Sequence, residues 1–157
     1  MPKEPHLGGI LDKYPYAAKD DVEGRVVCLL EAQSENRGME LATHLSRAVP
    51  RGQIHELVLT DQAEAAPGSV VDRVAYVGFF EVEHGGLILV GDRVTVDGQE
   101  LGKVAGFDET HFPNHMNVLL KARVRQTGVE LGVKLGAKVV FRMAEQAAHN
   151  YGIMLGF

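Results

Sequence analysis

The order of apolar and polar residues along this chain changes period at several points, and each change marks a predicted element. Arg25-Val26-Val27-Cys28-Leu29-Leu30 is a continuous apolar run between Gly24 and the polar Gln33-Ser34-Glu35-Asn36, which predicts a strand buried on both faces with Cys28 as a small core residue. Over 37–49 the recurrence becomes helical. Leu41, Leu45, Ala48 and Val49 share one face, Asn36 stands at the N-cap and Pro50 ends the pattern, so a helix is expected there, with His44 on its exposed side. Ile54 to Leu59 predicts a second strand, with His55 a strand-face residue, and an acidic, Ala-rich loop follows as far as Pro67-Gly68-Ser69.

From Val70 onward the pattern is one of short strands punctuated by glycine. Arg73 to Val82 reads as one long strand, with Gly78 marking a bend or bulge. Arg93 to Val96 alternates and runs into Asp97-Gly98, the strongest hairpin signal in the chain. Leu101 to Phe107 returns, with irregularities expected at Gly102 and Gly106, and Val118 to Val124 alternates again. A short helix is expected over 143–151, before an apolar tail at 152–157 that points to a subunit interface. Leu89 to Val96 also echoes Lys134 to Phe141: in both, a turn glycine feeds an alternating strand.

These elements predict an α+β, mainly β protein: a small antiparallel β-barrel or curled sheet, with one helix near 37–49 and a short C-terminal helix. Residues 1–22, rich in Pro, Gly, Lys and Asp, are expected to form an extended arm, and 23–157 a single domain. A homo-oligomer is expected.

Composition narrows the function classes. The single cysteine excludes an intramolecular disulfide and the multi-cysteine zinc patterns, so a metal would need His, Asp and Glu ligands. With no apolar leader and no apolar run long enough to cross a bilayer, a cytoplasmic, non-membrane protein is expected. The formal charge is −5 with both signs interspersed, which argues against nucleic acid as a partner. Lys121, Arg123 and Arg125, spaced by two, are read as one solvated strand face.

One stretch is too rich in imidazoles and amides for a generic connection. Gly106 to Asn117 joins two predicted strands and carries Asp108, Glu109, His111, Asn114, His115 and Asn117. Pro113 restricts Phe112 to extended conformations, which argues against His111 and His115 lying one turn apart on a helix; if they converge, they do so on a rigid turn, with Asn114 and Asn117 supplying local hydrogen bonds or orienting an imidazole. Three readings stay open. In the first, His111 and His115, with Asp108 or Glu109 and with His84 from the preceding hairpin, hold a divalent transition metal. In the second, His111 or His115 is a general acid or base assisted by Asp108, while Asn114, Asn117, His84 and Glu109 hold a small polar ligand. In the third, the loop is a polar rim whose side chains cap turns. The expected function is therefore the binding of a small polar metabolite, with or without turnover or metal. The alternative is a non-catalytic structural oligomer.

From about Phe80 to Phe141 the chain also resembles the glucitol/sorbitol-specific IIA component of the bacterial sugar phosphotransferase system, on Phe80, His84-Gly85, the glycine-punctuated strands and Phe112-Pro113. The resemblance implies a small β-barrel phosphocarrier. That family carries its phosphoryl-accepting histidine two positions before the His-Gly pair, where this chain has Val82, so what carries over is barrel architecture. Acid-labile phosphate on His84 would be the signature of a phosphocarrier.

Overall fold

Strand β5 (Ile54–Thr60) is buried along both faces from His55 onward, and the alternation of its side chains sorts the molecule into two apolar clusters. Leu57 and Leu59 enter the larger cluster with Phe80, Phe107 and Phe141, while Val58 enters a smaller one with Met39, Leu41, Val71 and Leu119. Successive side chains on a strand point to opposite faces, so β5 separates the two clusters. Each large side chain buried this way contributes about 1.5–3 kcal/mol, which is why a polar side chain on either face needs a partner.

The computed structural model describes residues 16–144, and every regular element among them is a strand. Before β5 come β1 (Val22–Leu29), β2 (Gln33–Ser34), β3 (Met39–Glu40) and β4 (Ser46–Val49). After it come β6 (Val70–Val71), β7 (Val74–His84), β8 (Gly86–Leu89) and β9 (Arg93–Val96). The last three are β10 (Gln99–Asp108), β11 (Asn117–Lys121) and β12 (Lys138–Arg142). The main sheet runs β1-β12-β9-β10-β11-β5-β7-β2, and β7 also pairs with β1, so the pairings of seven strands form a closed circuit around the larger cluster. The smaller cluster lies on the other face of β5, β10 and β11, together with Met39 of β3 and Val71 of β6, which pair with each other.

The α+β expectation is overturned: among the described residues there is no helix near 37–49, nor anywhere else. Met39 and Leu41 are buried two residues apart in the outer cluster, Ala42 donates to the carbonyl of Phe107, and Ser46–Val49 pairs antiparallel with Gly86–Leu89. Free strand edges supplied the backbone partners, and tertiary pairing outweighed a weak helical spacing containing Gly38, Thr43 and Ser46. Pro50 itself favours an extended Val49 over a helical one. The helix expected over 143–151 falls, beyond residue 144, outside the described residues. The antiparallel expectation fails at one place, where β11 pairs with β5 in parallel. The strand buried on both faces is β5 and not β1, in which Glu23 and Arg25 alternate with buried Val22, Gly24 and Val26 and Cys28 is half-buried.

The hairpin, bulge and echo signals of the second half held, whereas the alternation expected over Val118 to Val124 did not: Asn117 to Leu120 are buried on both faces and the strand ends at Lys121. Asp97 and Gly98 both have positive φ, 48° and 81°, the conformation of a two-residue hairpin turn, and Val96 faces Gln99 across it. Register shifts fall at Gly102, Gly106 and Gly78, where bulges were expected. The two echoing segments end as neighbours, with β9 paired to β12 and Gly91 and Gly136 both at positive φ before them. The basic triplet is not one face: the strand ends at Lys121, whose Nζ donates to Ala63 O, and the side chain of Arg125 turns in to Ser34 O at 2.9 Å.

Gly78 faces Leu29 in register, and a Cβ there would stand 2.1 Å from the carbonyl oxygen of Cys28. Gly78→Ala is therefore expected to part β7 from β1 and to lower stability by about 2–4 kcal/mol, read from urea unfolding. An unchanged midpoint would contradict so close an approach of the two strands.

Candidate functional site

A row of side chains crosses four strands at one level and is polar on three of them. In register, Phe79 of β7 faces Glu56 of β5, Glu56 faces Asn117 of β11, and Asn117 faces Asp108 of β10. Parity puts Glu56 and Asn117 on the same side as Val58 and Leu119, so the row continues the outer apolar cluster as its polar end. Glu56, Asp108 and Asn117 are 6%, 2% and 1% exposed, and such groups must be compensated by their neighbours. Asn117 Nδ2 donates to Asp108 Oδ2 at 2.8 Å, and Asp108 Oδ1 accepts from the Thr110 hydroxyl at 2.6 Å and its amide at 3.2 Å. Arg37 Nη2 stands 3.6 Å from Asp108 Oδ2, and its Nε donates to the hydroxyl of Tyr76. Asn117 Oδ1 is buried with no hydrogen-bond partner.

The 109–116 loop folds over this row. Asn114 N and His115 N both donate to the carbonyl of His111, so the two histidines meet on a turn, and their rings stack with centroids 5.0 Å apart. This agrees with the expectation drawn from Pro113: the histidines converge on a turn and not on a helix, with the proline inside the turn, where its missing N–H is not needed, and the bonds coming from the two residues after it. His115 packs edge-on against Phe79, accepts at Nδ1 from Asn114 Nδ2 at 2.8 Å, and brings Nε2 to 3.5 Å from Glu56 Oε1. With Nδ1 accepting, the neutral ring carries its proton on Nε2, facing the carboxyl of Glu56.

Burial pushes the Glu56 carboxyl up to about 7, with Asp108 pushing further and Arg37 pulling back. His115 is lowered, first by burial and then by His111, against the pull of Asp108. The two shifts reverse the ordinary order of the pair, so that Glu56 keeps its proton to a higher pH than the His115 ring does.

Beside this pair lies a cleft of about 360 Å³ whose wall includes Arg47, Gln53, His55, Phe112, Asn114 and Met116. His55 Nδ1 accepts from the amide of Met116 at 3.1 Å and its Nε2 lies 2.9 Å from Gln53 Oε1, so the ring is neutral with its proton on Nε2. Burial, then His115 and Arg47, hold it down to about 4. The Arg47 guanidinium lies over the ring of Phe112, 5.1 Å from its centroid, and is ion-paired with Glu109 of the loop, while its buried Nε has no hydrogen-bond partner.

Of the residues singled out from sequence, Asp108, His111, Asn114, His115 and Asn117 come together, and Glu109 joins them through Arg47. His84 does not. It is exposed at the end of β7, paired with Glu23, five residues and roughly 16 Å along the strand from Phe79. Among the described residues no three His, Cys, Asp or Glu side chains are arranged to hold a metal ion, so the ligand set of His111, His115 and His84 does not form. Val82, where the phosphotransferase family has its histidine, is fully buried in the core. Sequence reasoning missed Glu56, Arg37 and Arg47. Glu56 had a legible signal: it shares strand parity with Val58 in a run apolar on both faces, so its face had to be buried.

Stability against pH isolates the buried acid. A folded-state pKa near 7 against 4.5 means that Glu56 favours the folded state at acid pH and loses that contribution as pH rises from about 4.5 to 7. His55, lowered from 6.5 to about 4, acts in the opposite sense and loses stability as pH falls through that window. Glu56→Gln should leave the His55 trend alone, so its stability relative to the unmodified protein should climb between pH 4.5 and 7 in urea titrations. Parallel profiles would contradict a buried, proton-binding Glu56.

No curated protein and no solved structure matches this chain. A model of a family of unknown function, DUF6917, matches residues 16–142, a span that contains all twelve strands, and the chain belongs to that family.

Proposed function

We propose that this protein binds a small anionic metabolite of the carboxylate class in the cleft between the 109–116 loop and strands β4 and β5. The observation that carries the reading is Arg47: its guanidinium forms part of the cleft wall, already holds the carboxylate of Glu109, and keeps a buried Nε without an acceptor. A planar guanidinium recognises carboxylates through paired N–H groups, and a ligand there would take over from Glu109 and satisfy the orphaned donor. Phe112 gives the ligand an apolar wall, and Gln53, neutral His55 and Asn114 supply uncharged polar contacts.

A second reading, acid–base chemistry on the bound molecule, is favoured by one specific connection. Asn114 belongs to the cleft wall and donates to His115, which faces Glu56, so charge entering the cleft is linked to this acid–imidazole pair one side chain away. An anion near this pair favours its protonated forms.

Calorimetric titration with malonate and with inorganic phosphate, in two buffers of different ionisation enthalpy, tests both readings. Malonate is expected to bind saturably, and Arg47→Ala to weaken it about tenfold or more. Proton uptake near pH 7 is expected in the unmodified protein and not in Glu56→Gln. Malonate binding that is unchanged in the arginine variant, or absent altogether, would sink the first reading. Binding without proton uptake would sink the second.

A further inference from the structure

A second opening lies at the other end of the β5–β11 pair. It has a volume of about 740 Å³, within the range of small-molecule sites. Its wall includes Leu59 and Leu101 of the main core, with Ala122 and Leu131, which pack against that core from its margin. The opening therefore reaches an apolar surface continuous with the molecule's interior. Glu56 and Thr60 are four residues apart on β5, so this end lies roughly 13 Å from the polar row and is a separate place.

The rim carries more cations than acids: Lys103, Lys121 and Arg123 against Asp61 and Glu100. Asp61 is paired with Arg73 at 2.9 Å, Glu100 with Arg93 at 3.1 Å, and Lys121 donates to Ala63 O at 3.1 Å. Among the described residues Lys103 and Arg123 form neither an ion pair nor a side-chain hydrogen bond, although Lys103 is close enough to Glu100 to act on it electrostatically. Two exposed cations without an ion pair or side-chain hydrogen bond, beside an apolar floor, favour a ligand with an apolar body and one anionic head. Exposed Val124, also part of this wall, extends the apolar surface to the rim.

We propose that this opening is a second binding site, for an amphipathic anion such as a medium-chain carboxylate, with Lys103 and Arg123 holding the head and Leu59, Leu101 and Leu131 receiving the apolar part. It stands on residues that the loop site does not use, and its failure would leave that site untouched.

The probe is 8-anilinonaphthalene-1-sulfonate, followed by fluorescence and competed with octanoate and with octyltrimethylammonium, which carries the same tail on a cation. Saturable binding displaced by octanoate and not by the cation is the expected result. Lys103→Glu/Arg123→Glu, both at exposed positions, should weaken the probe about tenfold with an unchanged melting temperature, while Arg47→Ala leaves it unaffected. The inference fails if the protein does not bind the probe saturably, if both competitors displace it equally, or if the charge reversal has no effect. It also fails if the protein sediments as a dimer whose dissociation is what exposes the probe site, since that assigns the opening to a second copy of the chain.

Discussion

The parallel contact between β5 and β11 is the constraint on which the rest of this molecule depends. Both strands are buried on two faces, so each must carry an inner and an outer set of side chains that satisfy different clusters. The inner set closes the main core. The outer set begins with Val58 and Leu119 and ends with Glu56 and Asn117, which a one-residue slip in register would drive into the main core. The same pair ends in the two openings, one beside Glu56 and the other beyond Thr60.

Burial of the polar row explains its electrostatics. A carboxyl removed from water holds its proton, and an imidazole removed from water sheds one, so Glu56 and His115 are shifted in opposite directions by the same cause. The oxygens of Asp108 have donors around them: the side-chain amide of Asn117, the hydroxyl and amide of Thr110, and Arg37 nearby. Two acids at one level of the sheet thus occupy different environments, one well supplied with hydrogen bonds and one facing a histidine. That inequality, more than the number of imidazoles in the loop, sets the electrostatics of the row.

The loop alone would have suggested a self-contained site. Instead, its residues act on partners from distant parts of the chain: His115 on Glu56, Glu109 on Arg47, Met116 on His55 and Asp108 on Arg37. Arg47 and Arg37 come from the segment whose spacing looked helical, and reading that segment as a helix hid both of them. Glu56 was hidden differently. Its parity with Val58 was visible, but the presence of a histidine to face it was not, because that depends on which strand lies beside β5.

What the sequence determined by itself were features governed by short-range sterics and local pattern. The Asp97-Gly98 turn needs two residues at positive φ, Gly78, Gly102 and Gly106 sit where bulges form, and alternation located β9 and β12. The richness of 108–117 in polar side chains was also legible. Tertiary structure alone decided that 37–49 forms strands, that β11 lies parallel to β5, that His84 stays apart and that Glu56 meets His115. Those outcomes rest on backbone partners and burial supplied by residues far away in the chain, and hydrophobic periodicity cannot say which strand edge will be free to receive a segment.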